Sequence, residues 1–256
     1  MSDQIFSTAQ RSQLEDKHQS SNWLQSAMDQ AKSVSVDPLI PDGAFVQSLL
    51  ANPPPAEPPS IANIIKHLNV QPHNEGGYFV ETDRDPRTVP NPFKDQPVLE
   101  NATSKDNQPT RNASTTIYYL ISPKSPVGHF HRNKGRTVHT LHKGRGRYIL
   151  IHADQADAEG KAPVETFVVG HDLDKGEKLQ WIVEGGKFKA SFLLPDQEGN
   201  ETQEGLLISE TVVPGFDYAD HDFMTAQSMR ALVSREQAEE LAWLLNESER
   251  ENWKAA

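Results

Sequence analysis

The stretch FHRNKGRTVHTLHKG, residues 130–144, decides how the chain reads. It holds two short strand-like runs, Gly128–Asn133 and Thr137–Lys143, separated by Lys134, Gly135 and Arg136. Outward from it the same texture repeats. Gly77–Thr82 and Thr115–Ser122 lie before it; Tyr148–Ala153, Glu165–Gly170, Gln180–Val183, Phe188–Leu194 and Gly205–Val213 lie after it. Close-spaced short strands with Gly, Pro, Asn and Asp between them describe a jelly roll or barrel. Parallel βαβ units would need helical stretches between strands, and none is visible. Ser60 is read as the cap of a helix through Ile61, Ile64, Ile65 and Leu68. Ser234-Arg235-Glu236-Gln237 is a capping box opening a last helix through Leu245. Residues 85–110 read as a long polar loop.

The composition narrows the function. Without cysteine, disulfides, thiolate catalysis, iron–sulfur clusters and cysteine-bound zinc are excluded. A formal net charge of −11 argues against nucleic acid or an anionic membrane as partner. There is no apolar run long enough for a membrane span. The first residues lack an apolar leader and carry Asp3, Glu15 and Asp16, which predicts a cytoplasmic protein. Residues 1–59 are polar and proline-rich and read as a flexible extension, with a stiff spacer at 53–59. Short helices are expected near Trp23–Met28 and, after an Asp42 cap, near Phe45–Leu50. The folded domain is expected over 60–256.

The stretches EGGYFVETDR (75–84), STTIYYLI (114–121), FHRNKGRTVHTLHKG (130–144), GGKFKASFLL (185–194) and LLISETVVPGFDYADHDF (206–223) resemble cupin family 5 as an ordered set. This is a domain of unknown function among the RmlC-like cupins, the barrels typified by dTDP-4-dehydrorhamnose 3,5-epimerase, and its fungal members look most similar. The resemblance implies an all-β, RmlC-like jelly roll (a double-stranded β-helix) with a short helix before and a helix after the barrel. It also implies a homodimer.

Metal-binding cupins carry His-x-His, then a Glu, and a further His in a second motif. Laid on that pattern, the four positions are His131, Asn133, Thr137 and Lys189. One ligand of four remains. A lysine ammonium about 5 Å from a divalent ion would cost several kcal/mol at an effective dielectric near 20. No metal and no other cofactor is therefore expected at that site.

The histidines are dense here: His129, His131, His139, His142 and His152 fall within 24 residues. If the two runs form a hairpin, His131 faces His139 across the ladder and His142 points away. A lone strand histidine is more often a hydrogen-bonded core residue, and His139 equally reads as an aromatic wall. Two inward imidazoles would form a polar spot able to move protons. Gly76 and Gly77 read as a tight turn into a strand. The acid-rich turn at Asp217, Asp220, His221 and Asp222 reads as cap chemistry.

The leading expectation is a metal-independent barrel for a small sugar or anionic metabolite, with epimerase- or isomerase-like acid–base chemistry. His131 is the candidate base and Tyr78 or Tyr118 the candidate acid. His139, Asn133, Lys189, Tyr118 and Glu81 are the candidate ligand contacts, and Glu210 is a candidate internal partner for Lys189. The carboxylate that would orient the histidine has no evident candidate. The competing expectation is a non-enzymatic dimeric scaffold or ligand sensor.

Overall fold

A computed structural model describes residues 39–196, 202 and 204–255. The elements are α1 (Ala44–Ala51), α2 (Pro59–Leu68), β1 (Gln71–Pro72), β2 (Tyr78–Arg84), β3 (Thr88–Pro90), β4 (Thr110–Asn112) and β5 (Thr115–Ile121). Then come β6 (Val127–Asn133), β7 (Arg136–Gly144), β8 (Gly146–Ile151), β9 (Val164–Val169), β10 (Gln180–Val183), β11 (Phe188–Leu193) and β12 (Leu206–Val213). The chain ends with β13 (His221–Phe223), α3 (Ala226–Leu232), α4 (Arg235–Leu241) and α5 (Glu247–Ala255). All nine expected strands are present.

Two antiparallel sheets face each other, in strand order β1-β2-β5-β12-β7-β10 and β13-β6-β11-β8-β9. The period-two alternation of each strand sorts its side chains into lumen and outer face. Tyr119, Leu141, Tyr148, Trp181 and Ile208 fill the closed end of the lumen. Phe130, Ile149, Phe188 and Phe192 cover the outer face of the second sheet. There they pack under Met229, Leu241 and Leu244 near the C-terminal end. Each such side chain contributes about 1.5–3 kcal/mol of burial. Ile61 of α2, with Ile64 and Ile65, covers Leu120 and Leu207 on the outer face of the first sheet.

The stretch 130–144 corrects the reading of its own register. β6 and β7 do not pair: β6 lies between β13 and β11, whereas β7 lies between β12 and β10. The backbone Lys134–Gly135 turns a corner between the sheets. His131 therefore sits opposite Lys189 and Phe223, and His139 opposite Trp181 and Glu210. Both histidines point inward, but from facing walls.

The domain also begins earlier than residue 60. Ile40 and Val46 are buried in the main core, and Phe45 and Leu49 pack against the lumen cluster. Asp42 does not cap α1; its carboxylate accepts from Arg147 Nε and Nη2 at 2.6 and 2.8 Å. Helix α2 starts at Pro59, whose ring suits a first turn, so Ser60 is not its cap. The capping box at Ser234 and Gln237 forms with both bonds, although its helix stops at Leu241 before a 3-10 turn, Ala242–Leu244. The polar 85–110 segment contains β3, which pairs with β4. The helix expected near Trp23–Met28 lies outside the described residues. Among the described residues, no helix is long and apolar enough to cross a membrane.

Candidate functional site

The open end of the lumen is a cavity of about 100 Å³. That is room for several waters, or a ligand of roughly six to ten non-hydrogen atoms. Phe79, Phe216 and Tyr218 give it an apolar side; Glu81, Asn133 and Lys189 are among its polar groups.

Its floor is organised by a residue that the motif reading did not single out. Glu75 stands in the loop between β1 and β2, next to Gly76 and Gly77, whose φ angles are +91° and +67°. A Cβ on Gly76 would lie 2.0 Å from the Val127 carbonyl oxygen, and one on Gly77 2.6 Å from that of Leu120. The glycine pair lets this loop lie against β5 and β6, where the His129 N–H donates to the Glu75 carbonyl at 2.6 Å. The carboxylate is thereby delivered beneath three imidazoles. His221 Nε2 is 2.9 Å from Glu75 Oε1, His131 Nε2 is 3.3 Å from Oε2, and His73 Nδ1 is 3.5 Å from Oε2. This is the carboxylate partner of His131 that had no evident candidate in the sequence.

Burial pushes the Glu75 carboxyl up, but the neighbouring His131 and the contacts from His221 and His73 outweigh it and hold the group well below the usual carboxylate range. Burial pushes His131 down to about 3, with Glu75 opposing and Lys189 and His221 reinforcing. At neutral pH the floor is thus an anion beneath a neutral ring. His131 Nδ1 lies 2.8 Å from the His129 carbonyl, so that nitrogen carries the proton.

A second polar group spans the lumen behind this floor. Lys189 Nζ on β11 donates to Glu210 Oε2 on β12 at 2.6 Å and lies 3.0 Å from His139 Nε2. Burial raises the Glu210 carboxyl, and Lys189 and His139 overcome that and hold it well below its ordinary value. Burial and Lys189 lower His139. His139 stacks on Trp181, with ring centroids 5.1 Å apart, so it also serves as an aromatic wall. The usual cupin metal positions do not fit an ion: an ammonium and its counterion occupy the place of the last ligand, and Thr137 and Asn133 offer no charged donor.

The other named residues divide between the faces of the first sheet. Glu81 lines the cavity and binds Arg84 through both oxygens, at 2.9 and 2.7 Å. Asn133 lines it too, and its Oδ1 is buried without a hydrogen-bond partner among the described residues. Tyr78 and Tyr118 lie on the outer face, which corrects their reading as pocket acids. Tyr78 donates to Glu57 at 3.2 Å, and Tyr118 packs edge-on against His142. Their neighbours Phe79 and Tyr119 take the inward positions, and the tyrosine that lines the cavity is Tyr218. The acid-rich turn is partly cap chemistry: Asp217 caps a 3-10 turn, Asp220 holds buried Arg111 and Asp222 holds Arg132. His221 instead turns into the floor.

The family described as "Cupin superfamily (DUF985)" matches residues 62–224. The chain belongs to this cupin family. An uncharacterized protein of Saccharomyces cerevisiae is 44% identical to the cupin over 198 residues, covering 77% of this chain and 92% of its own. A hypothetical protein from Leishmania major, whose structure is solved, has 30% identity and a TM-score of 0.55, covering 69% of this cupin and 94% of that chain. Protein SO0799 from Shewanella oneidensis has 23% identity and a TM-score of 0.48, covering 72% and 94%. The jelly roll implied by the sequence resemblance is the fold of this cupin.

Proposed function

We propose that this cupin binds a small, hydroxyl-bearing molecule, such as a sugar or polyol fragment, in the open end of its barrel. The observation that carries the reading is the composition of this cavity of about 100 Å³, which sets the aromatic side chains Phe79 and Phe216 opposite the polar groups Glu81, Asn133 and His131 beside the Glu75 cluster. Phe79 and Phe216 supply the apolar side against which a ring can lie. The expected preference for anions has weaker support, because Arg84 and Lys189 are already paired with Glu81 and Glu210.

Proton transfer of the isomerase type belongs to the same reading. His131, its Nδ1–H held by the His129 carbonyl, offers Nε2 to a ligand proton, and Glu75 favours the imidazolium that results. The cytoplasmic placement is part of the proposal, supported by the cysteine-free composition.

The test is a panel of sugars, polyols, sugar phosphates and carboxylates, scored by melting temperature in EDTA. A ligand at about 100 times its Kd stabilises by about 2.7 kcal/mol, or roughly 5–10 °C for a domain of this size. The shift should be dose-dependent and fade in Asn133→Ala and Glu81→Ala. A flat response across the panel, with nothing retained in native mass spectrometry of the purified protein, would sink the reading.

The scaffold alternative has one observation of its own. Strand β10 is an edge of the first sheet, and Ile182 on it and Leu179 beside it are 43% and 39% exposed. Edge strands with apolar side chains are commonly covered by a partner, and twofold pairing is the most frequent solution. A homodimer is therefore expected in sedimentation at micromolar concentration, weakened by Ile182→Lys. A monomer in the unaltered protein removes it.

A further inference from the structure

Beneath the cavity, one carboxylate oxygen of Glu75 and one ring nitrogen each of His131 and His221 lie within 4.8 Å of one another. Protons alone leave one of these contacts, that of His131 with Glu75, mismatched. The His129 carbonyl has no proton to give, so His131 Nδ1 is the N–H, and Nε2 of the neutral ring is a bare lone pair. That lone pair is 3.3 Å from Glu75 Oε2, another acceptor. His221 Nε2 lies 2.9 Å from Oε1, while its Nδ1 is buried without a hydrogen-bond partner among the described residues. Because a carboxylate oxygen only accepts, His221 holds its proton on Nε2 toward Glu75, and the buried, unpartnered Nδ1 is the nitrogen that can take that proton up when a cation claims the Nε2 lone pair.

The two carboxylate–imidazole separations, 2.9 Å to Oε1 and 3.3 Å to Oε2, are of the size found between ligands of one cation, and a small inward shift of the side chains would let one ion take all three. Two ligands bonded at about 2.0–2.1 Å lie about 3.3 Å apart at a tetrahedral angle and about 2.9 Å apart at a right angle. The charge suits one as well. Lys189 is answered by Glu210 and Arg84 by Glu81, which leaves Glu75 as the uncompensated charge of the cavity. The Nδ1–H of His131 on a backbone carbonyl is the support that metal-bound imidazoles usually have.

We propose that Glu75, His131 and His221 form a binding site for a divalent first-row transition ion. Two imidazoles and one carboxylate suit iron, zinc and their neighbours, and leave coordination positions open. The site shares only His131 with the usual cupin ligand positions. The Lys189 ammonium is neutralised at 2.6 Å by Glu210 and does not weigh against a cation at Glu75, whereas the usual positions remain unfit because Asn133, Thr137 and Lys189 offer no anionic or imidazole ligand. The inference goes beyond ligand binding and does not rest on it. A cation and a proton exclude each other on His131 Nε2.

The experiment uses the full chain stripped with EDTA and dialysed. Zinc chloride is titrated calorimetrically and cobalt(II) by its visible absorption. One ion per chain is expected at micromolar affinity or tighter, weakened at least tenfold in Glu75→Gln and His221→Ala and unchanged in the outer-face variant His142→Ala. A second measurement needs no variant: zinc should move the imidazole nitrogen-15 resonances of His131 and His221 in the unaltered protein and leave that of His142 in place. Absence of stoichiometric uptake by the unaltered chain overturns the proposal. So does uptake that leaves both histidine resonances in place, or that survives in folded Glu75→Gln and His221→Ala. Because the ligand panel is run in EDTA, either reading can fail while the other stands.

Discussion

Replacing Lys189 by methionine is expected to lower the unfolding free energy by about 3–5 kcal/mol, the usual cost of leaving one member of a buried ion pair alone. Lys189 is 4% and Glu210 8% exposed, so water reaches neither charge freely. Methionine keeps the length of the lysine stem, which separates loss of charge from loss of packing. Glu210→Leu should cost a similar amount. The double variant should cost much less than the two singles added together, because it removes both buried charges and leaves His139 against apolar neighbours. Urea unfolding of the four proteins measures the coupling directly. Additive single effects would show that the pair contributes no more than its separate side chains.

Stability should also fall as pH drops from 7 to 4, and His129 should account for about 3 kcal/mol of that fall. Burial, reinforced by Arg250, pushes His129 down to about 4, against an ordinary value of 6.5. Between those values the unfolded chain binds a proton that the folded chain refuses, so stability is full above about 6.5 and drains away towards 4. His131 and His139 act in the same direction, both being held neutral mainly by burial. Glu75 and Glu210 have the opposite kind of charge but the same pH sense: their contribution is present above the ordinary carboxylate value of 4.5 and is lost below it. In His129→Gln the stability profile between pH 6.5 and 4 should be visibly flatter. A profile parallel to that of the unaltered protein would be evidence that His129 titrates freely.

The strand pattern was legible because each strand states its own period. Tyr118–Tyr119 and Lys189–Ala190 alternate between faces wherever the strand is placed. The pairing of Lys189 with Glu210 was also within reach, since a buried ammonium needs an anion and β12 offers one inward carboxylate. The register of residues 130–144 was not, because two strands joined by a short turn look alike whether they pair or turn a corner between sheets. Glu75 escaped for a different reason. Its chemistry depends on His131 and His221, which the chain brings to it from two other elements, and no local spacing records that meeting. The signal that was available is the Gly76-Gly77 pair: two residues with positive φ mark a place where backbone comes very close to something, and here it comes close to β5 and β6. In the same way Tyr78 and Tyr118 were one residue out of phase with the lumen, the smallest error a strand permits.

Helix α1 has a practical consequence for anyone shortening this chain. A fragment starting at residue 56 would keep every strand and the whole Glu75 cluster, and would look complete in sequence. It would nevertheless strip Ile40, Phe45, Val46 and Leu49 from the surfaces that they cover and leave Arg147 without Asp42. Newly wetted apolar surface of this kind drives self-association. Recombinant versions and fusion tags are therefore best joined ahead of Leu39, leaving the segment that closes over the barrel in place.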